Sequence, residues 1–422
     1  MTNIRTIRGM NDILPEAMGR WHQVQDQARA VLEAYGYREI RTPLLERTEL
    51  FSRGIGEVTD IVEKEMYTFT DRSGDSLSLR PECTASVVRA AIQGGMLRSH
   101  AQRLWYMGPM FRHERPQKGR YRQFHQIGAE VFGLPGPQID AELILMLARL
   151  WQTVGLNNVT LELNSLGTAP ARQQHRAALQ AYFRGHMDAL DADSQRRLES
   201  NPLRILDSKN PDMQALIETA PRLDAYTDAQ CRTHFDALQN ILSNAGVSYS
   251  VNPRLVRGLD YYSRTVFEWT TDELGAQGTV CGGGRYDGLV EEIGGSPCPG
   301  VGFSIGLERL VELLEVQGAQ YTAPTPHVIV LALGERAALA AHPFTERLRD
   351  RLPGTGIVVD AESGGAKAKF KRADRSGAQL AVVLGDSEVD SGEATLKYLR
   401  DDRPQQTLSA DAIAQAIGVA LA

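Results

Sequence analysis

The sequence predicts an α+β fold: an antiparallel sheet flanked by helices, interrupted by a helical insertion and followed by a small C-terminal α/β domain. Three observations predict it. Strand-like runs over 102–112 and 122–132 flank a very polar connector, as the arms of a long hairpin would. From about 169 to 245 strand alternation disappears and Arg, Gln, Asp and Ala take over, which reads as a helical module set into the sheet. Beyond 327 strands and helices alternate, the pattern of parallel strands with crossover helices. A chain of 422 residues has room for two or three compact units. The expected division is a main domain over 1–320, containing the insertion at about 169–245, and a terminal domain over 327–422.

The elements follow in order. Trp21, Val24, Ala28, Val31, Leu32 and Tyr35 recur at helical spacing and Gly36 stands where a C-cap would, so 15–35 is read as an amphipathic helix. Residues 38–45 read as a strand whose Pro43 suits an edge or a bulge. The runs 66–70 and 76–79 flank the turn-rich Asp71-Arg72-Ser73-Gly74-Asp75, a hairpin signal. After the 102–132 pair come a turn-rich stretch, a long apolar helix over 140–154 and a strand over 159–163. Strands are expected again at 248–255, 265–270 and 279–282, and a helix at 304–316. Residues 317–326 read as a linker. The terminal domain then runs strand 328–333, helix, strand 357–360, helix, strand 380–384, with further strand and helix.

Composition narrows the class. Apolar residues at 42% and charged residues at 23% exclude disorder, collagen and coiled coil. The net charge of −6 provides no global field for a polyanion, so any nucleic-acid contact must be local. Cys83, Cys231, Cys281 and Cys298 form no CxxC pair and stand with no His cluster, which argues against a disulfide frame or structural zinc. The start lacks a charged segment leading into an apolar run, and a cytoplasmic location is expected.

No Gly-Lys dipeptide occurs, so a P-loop is excluded, and a nucleotide would have to be met by arginines on a sheet. The richest stretch is 110–124, with five cations, one acid and interleaved aromatics. Guanidinium forks bind phosphate oxygens bidentately and rings stack on bases, which suits a triphosphate and its adenine. By composition alone, a solvated Arg-rich hairpin tip is the simpler reading.

The order of residues adds more. Phe111-Arg112-His113-Glu114, a polar loop and a returning strand with Phe124 resemble motif 2 of class II aminoacyl-tRNA synthetases. Thr42-Pro43-Leu44-Leu45-Glu46, after a long helix, is similar to motif 1, and the run from Gly300-Val301-Gly302 to Leu307-Glu308-Arg309 is similar to motif 3. Arg257-Gly258-Leu259-Asp260-Tyr261-Tyr262 and Gly283-Gly284-Arg285-Tyr286-Asp287 resemble the two motifs specific to histidyl-tRNA synthetases. Leu79-Arg80-Pro81-Glu82, Gln126-Ile127-Gly128-Ala129-Glu130 and Arg8-Gly9-Met10-Asn11-Asp12 match that family as well. The resemblance spans nearly the whole chain and implies a class II catalytic domain with a C-terminal anticodon-binding domain.

The resemblance implies ATP-dependent ligation of L-histidine to tRNA(His) through a histidyl-adenylate, with Mg2+ carried on ATP, no tightly held protein metal, and a homodimer paired through motif 1. Arg112 would bind the α-phosphate and Arg309 the γ-phosphate, while Glu114 and Phe124 hold adenine. Arg257 would approach the α-phosphate and the carboxylate, where other class II enzymes place a metal. Glu130 and Tyr262, with Tyr261 beside them, are the candidates for the imidazole. Glu82, Thr84 and Gln126 match the positions that hold the α-ammonium. Arg115, Gln117 and Arg120 would meet the tRNA acceptor stem. Lys369 and Arg372 would meet the tRNA as well, in a basic terminal stretch with Lys367, Lys371 and Arg375 that opposes only Asp374 and looks like part of the family's anticodon-binding domain.

Plainer alternatives stand beside these. Arg257 could be a strand-end partner of Asp260, Glu82 the acid of a helix's first turn, and the terminal basic stretch a solvated helix face. Cys83, where a small residue is expected, raises redox sensitivity. At the level of the whole chain the alternatives are a histidine-sensing regulatory paralogue that has lost catalysis, and a class II enzyme for another amino acid.

Overall fold

The computed structural model describes residues 3–56, 59–98, 100–200, 202–206, 208, 210–275, 278–319, 321 and 325–421. It divides into two compact units, Met1–Tyr321 and Thr322–Ala422. Among the described residues no helix is long and apolar enough to cross a membrane.

The first unit is built on an eight-stranded sheet. From edge to edge its strands are Arg38–Glu39, Gln102–Phe111, Gln123–Phe132, Gly300–Gly306, Thr279–Arg285, Ser263–Thr270, Thr160–Ser165 and Ser250–Val251. The six central strands pair antiparallel, as expected, while each two-residue edge strand pairs parallel with its neighbour. The helices Pro15–Ala34, Pro137–Val154 and Leu307–Val316 cover one face with apolar side chains. The other face carries the second core cluster, which includes Tyr106, Tyr261, Tyr262 and Tyr286.

Three local expectations change. The strand expected over 38–45 is two pieces: Arg38–Glu39 on the large sheet, and Leu45–Arg47 in a separate three-stranded sheet with Ser76–Leu79 and Thr68–Thr70. Pro43 lies between them, because a residue with no N–H cannot continue a ladder. Only Ser250–Val251 of the run 248–255 is strand, and Pro253 follows. Residues 304–306 complete a strand, and the helix begins at Leu307.

Between Thr160–Ser165 and Ser250–Val251 every regular element among the described residues is a helix. Leu179, Phe183, Leu198, Ile205, Met213 and Ile217 form a cluster of their own there. The last helix, Ala229–Asn244, instead sends Leu238 and Leu242 into the main core, and its buried His234 bonds the buried Asp140 at 2.8 Å.

In the second unit the strand order is Ile357–Val359, Val328–Leu333, Leu380–Gly385, Glu393–Tyr398, Gln406–Ser409. The first three are parallel, as the alternation implies, and the last two add antiparallel. Short connections explain the switch, since a parallel partner needs a crossover of a dozen residues or so.

Candidate active site

Side chains alternate across a strand, so one strand serves two environments. In Gln123–Phe132, Ile127, Ala129 and Val131 enter the helix-side core, which turns Gln126 and Glu130 to the opposite face. In Gly300–Gly306, Val301, Phe303 and Ile305 do the same and leave Gly302 and Ser304 on the open face. Register sets Gly302 beside Glu130, and Gly282 between Ser304 and Glu268. A cavity of about 360 Å³ stands on this floor. Two glycines make the room: a Cβ on Gly302 would lie 1.7 Å from Glu130 Oε2, and one on Gly282 2.4 Å from Arg257 Nη2.

The structure brings together most of the residues singled out from sequence. Glu82, Thr84, Gln126, Glu130, Tyr261 and Tyr262 line the cavity, and so do Arg112, Glu114, Phe124, Arg257 and Arg309. They come from five separate stretches of chain, which is what a site assembled by a sheet requires.

Glu130 is 1% exposed, with Thr84 Oγ1 donating to its Oε1 at 2.7 Å and the Tyr286 hydroxyl donating to its Oε2. Burial pushes its carboxyl from 4.5 up to about 8, against the pull of those two hydroxyls. Glu82 accepts from the backbone N–H groups of Thr84 at 2.7 Å and Ala85 at 2.9 Å, so its carboxylate caps the helix Thr84–Gln93 while it lines the cavity. Burial raises its carboxyl as well, and the backbone bonds hold it back. Gln126 donates to Ser304 Oγ at 3.5 Å, and its buried Oε1 has no hydrogen-bond partner among the described residues. A buried acceptor left open costs free energy unless a ligand donates to it.

The cationic side is held by backbone carbonyls. Arg112 Nε donates to Pro81 O at 2.8 Å and its guanidinium lies over the Phe124 ring at 5.3 Å. Arg309 donates to Gly119 O at 3.0 Å and Thr279 O at 2.6 Å. Burial, followed by the neighbouring Arg120, lowers its pKa. Glu308, opening the same helix, accepts from His125 N at 2.9 and 2.8 Å and so ties the helix to the returning strand. Arg120, expected to face the acceptor stem, instead turns into the cavity and pairs with the carboxylate of the buried Glu114. Arg115 and Gln117 are exposed in the same loop.

Arg257 is not the partner of Asp260. It pairs with Glu268 and lies over the Tyr262 ring at 5.7 Å. Asp260 faces a second group of cations, Arg204, Arg172 and Arg176, and burial raises its carboxyl ahead of their opposing effect. The redox expectation for Cys83 fails: the thiol is fully buried, and burial pushes it up to about 12, so little thiolate is available to an oxidant. In the second unit Lys369 and Arg372 have an acid that local sequence did not reveal. Arg372 forks onto Asp360 at 2.9 and 2.7 Å and Lys369 Nζ lies 3.8 Å from it, which leaves Lys367, Lys371 and Arg375 as the exposed cations. Asp360 precedes the helix Ala366–Arg375 by a loop, outside the stretch whose charges were counted.

Two residues of the site were missed. Tyr286, which bonds Glu130, stood inside a quoted motif and could have been found there. Glu268, which bonds Arg257, was hidden in a strand, although an acid between Phe267 and Trp269 on a mostly apolar run is a signal that the opposite face is functional.

The chain matches two family models: Histidyl-tRNA synthetase over residues 9–310 and Anticodon binding domain over residues 327–418. It is 62% identical over 410 residues to the histidine–tRNA ligase of Alkalilimnicola ehrlichii, covering 97% of this chain and 95% of that protein. To the corresponding ligase of Halorhodospira halophila it is 59% identical over 408 residues, 97% and 96% of the two chains. Among solved structures it resembles apo histidyl-tRNA synthetase of S. aureus, with a TM-score of 0.82 at 33% identity over 98% of this chain and 100% of that one.

Proposed function

The chain belongs to the histidyl-tRNA synthetase family, and on that premise we propose how its residues divide the work of attaching L-histidine to tRNA(His). The reaction has two steps. A carboxylate oxygen of histidine attacks the α-phosphorus of ATP, the bond to the β-phosphate oxygen breaks, and diphosphate leaves. A terminal hydroxyl of the tRNA then attacks the carbonyl carbon of the adenylate, the bond to the phosphate oxygen breaks, and AMP leaves.

The first step brings one anion onto another, so fixed cations and positioning supply most of the acceleration. In this reading Arg112 and Arg257 meet the α-phosphate and Arg309 the γ-phosphate of ATP, which arrives as its magnesium complex. Glu114 and Phe124 hold adenine, and Arg120 beside Glu114 braces the nucleotide end. Glu130 and Tyr262 select the imidazole. Glu82, Thr84 and the open Gln126 Oε1 receive the α-ammonium. Arg115 and Gln117 reach the acceptor stem, while exposed Lys367, Lys371 and Arg375, with Lys369 and Arg372 behind them, serve the anticodon side.

The observation that carries this division is that both sets of residues, scattered from Glu82 to Arg309, line one cavity on the open face of the sheet. Diphosphate exchange with purified protein, ATP and magnesium tests it across the amino acids. Exchange with histidine alone is the expected result. Exchange with a different amino acid would assign another specificity, and none at all would turn the chain into a non-catalytic paralogue.

We assign the enzyme to the cytoplasm, where tRNA is charged, and to a homodimer. The segment around Pro43 supports the dimer: Leu44, Leu45 and Phe69, in and beside the three-stranded sheet, are large apolar side chains left exposed. Sedimentation at micromolar concentration should give twice 46.5 kDa. A stable, active monomer would refute it.

A further inference from the structure

The argument begins with Arg257, whose side chain has no regular backbone to fix it. Residues 252–262 form neither helix nor strand. A long side chain on such a segment has many rotamers, and a cation that acts on a developing charge is useful only when its donors are already aimed. Something on a rigid element must hold it.

Glu268 is that element's contribution. It sits in the strand Ser263–Thr270, across from Gly282, and both of its oxygens are committed. Oε1 accepts from Arg257 Nη1, and Oε2 accepts from Thr279 Oγ1 at 3.1 Å. The carbonyl of that same Thr279 accepts from Arg309 Nη1 at 2.6 Å, so one pair of neighbouring strands braces two cavity cations. The contact leaves donors to spare: Arg257 Nε is buried with no hydrogen-bond partner among the described residues, and Nη2 lies over the slot that Gly282 keeps open. Burial disfavours the charge on Arg257, but the Glu268 carboxylate together with Tyr262, Tyr261 and Cys281 outweighs it, so the guanidinium stays protonated.

We propose that Glu268 is the positioning residue for Arg257, holding one end of its guanidinium so that the remaining donors face the reacting phosphate. The proposal rests on the reading of Arg257 given above, and one double-mutant cycle separates the two. Single-turnover adenylate formation is measured for the full chain, Glu268→Gln, Arg257→Ala and the double variant, with ATP and histidine affinities measured alongside. Glu268→Gln keeps the shape and removes the charge. It should slow adenylation by roughly tenfold to a hundredfold, the scale for losing a group that orients a reacting one, with both affinities within about threefold. In the Arg257→Ala background the same change should cost about nothing further.

An equal loss in both backgrounds would overturn the positioning role, as would a loss carried by ATP affinity. Near-normal adenylation by Arg257→Ala alone would overturn the reading of Arg257 itself, and the proposal with it. If Glu268→Gln melts early, Glu268→Asp carries the same cycle, since it keeps the charge and shortens the reach by one methylene.

Discussion

Arg257→Ala is expected to fold, dimerise and bind ATP, yet to lose adenylate formation by about two to three powers of ten, the scale for removing one preorganised transition-state donor. The loss should fall on rate more than on binding, because negative charge accumulates on the α-phosphate only as the carboxylate approaches. Arg257→Lys should recover part of the rate. An ammonium restores the charge but cannot both hold Glu268 and span phosphate and carboxylate oxygens, as a planar fork does. Transfer from preformed adenylate to tRNA should suffer less than its formation, and single-turnover kinetics separate the two. If Arg257→Ala kept near-normal adenylation and instead melted early, its pairing with Glu268 would be structural only.

Glu130→Ala should abolish selection of histidine with ATP affinity largely spared, because Glu130 lines the cavity bonded to Thr84 and Tyr286, whereas the nucleotide is proposed to be met by Arg112, Phe124 and Arg309. Leaving a buried polar group of histidine without its hydrogen-bond partner costs about 1 to 3 kcal/mol, roughly fivefold to 150-fold in histidine affinity. Equal losses of ATP and histidine affinity, read by titration calorimetry, would show the role to be wrong. The same residue predicts a pH effect. Burial holds its folded carboxyl up at about 8 against 4.5 in the unfolded chain, so between those values the native state holds a proton that the unfolded chain has lost. Stability should therefore fall as pH rises from about 4.5 to 8. Glu130→Gln, which cannot titrate, should flatten that part of the thermal-melting profile.

Much of this was legible in one dimension. Phe111 to Glu114, Arg257 to Tyr262 and Gly300 to Arg309 carry their chemistry in contiguous stretches, and period-two alternation alone distinguishes Glu130 and Gln126 from Ile127 and Ala129. The central hairpin was legible for the same reason: Gln102–Phe111 and Gln123–Phe132 pair with neighbours in sequence, through a loop whose polarity marks it. Edges were harder. The breaks around Pro43 and Pro253 follow from a missing donor, but which sheet each fragment joins depends on partners far along the chain.

The residue types of the site, their assignment to one family and the existence of a sheet to carry them were determined by the sequence, because motif residues and side-chain periodicity are local properties. Only the tertiary structure decided who holds whom. Arg257 has Asp260 three residues away and yet pairs with Glu268. Arg372 forks onto Asp360, twelve positions before it, and Arg120 turns inward to Glu114. An ion pair forms where two side chains converge in space with geometry that offsets their desolvation, and convergence is set by strand register and packing rather than by separation along the chain.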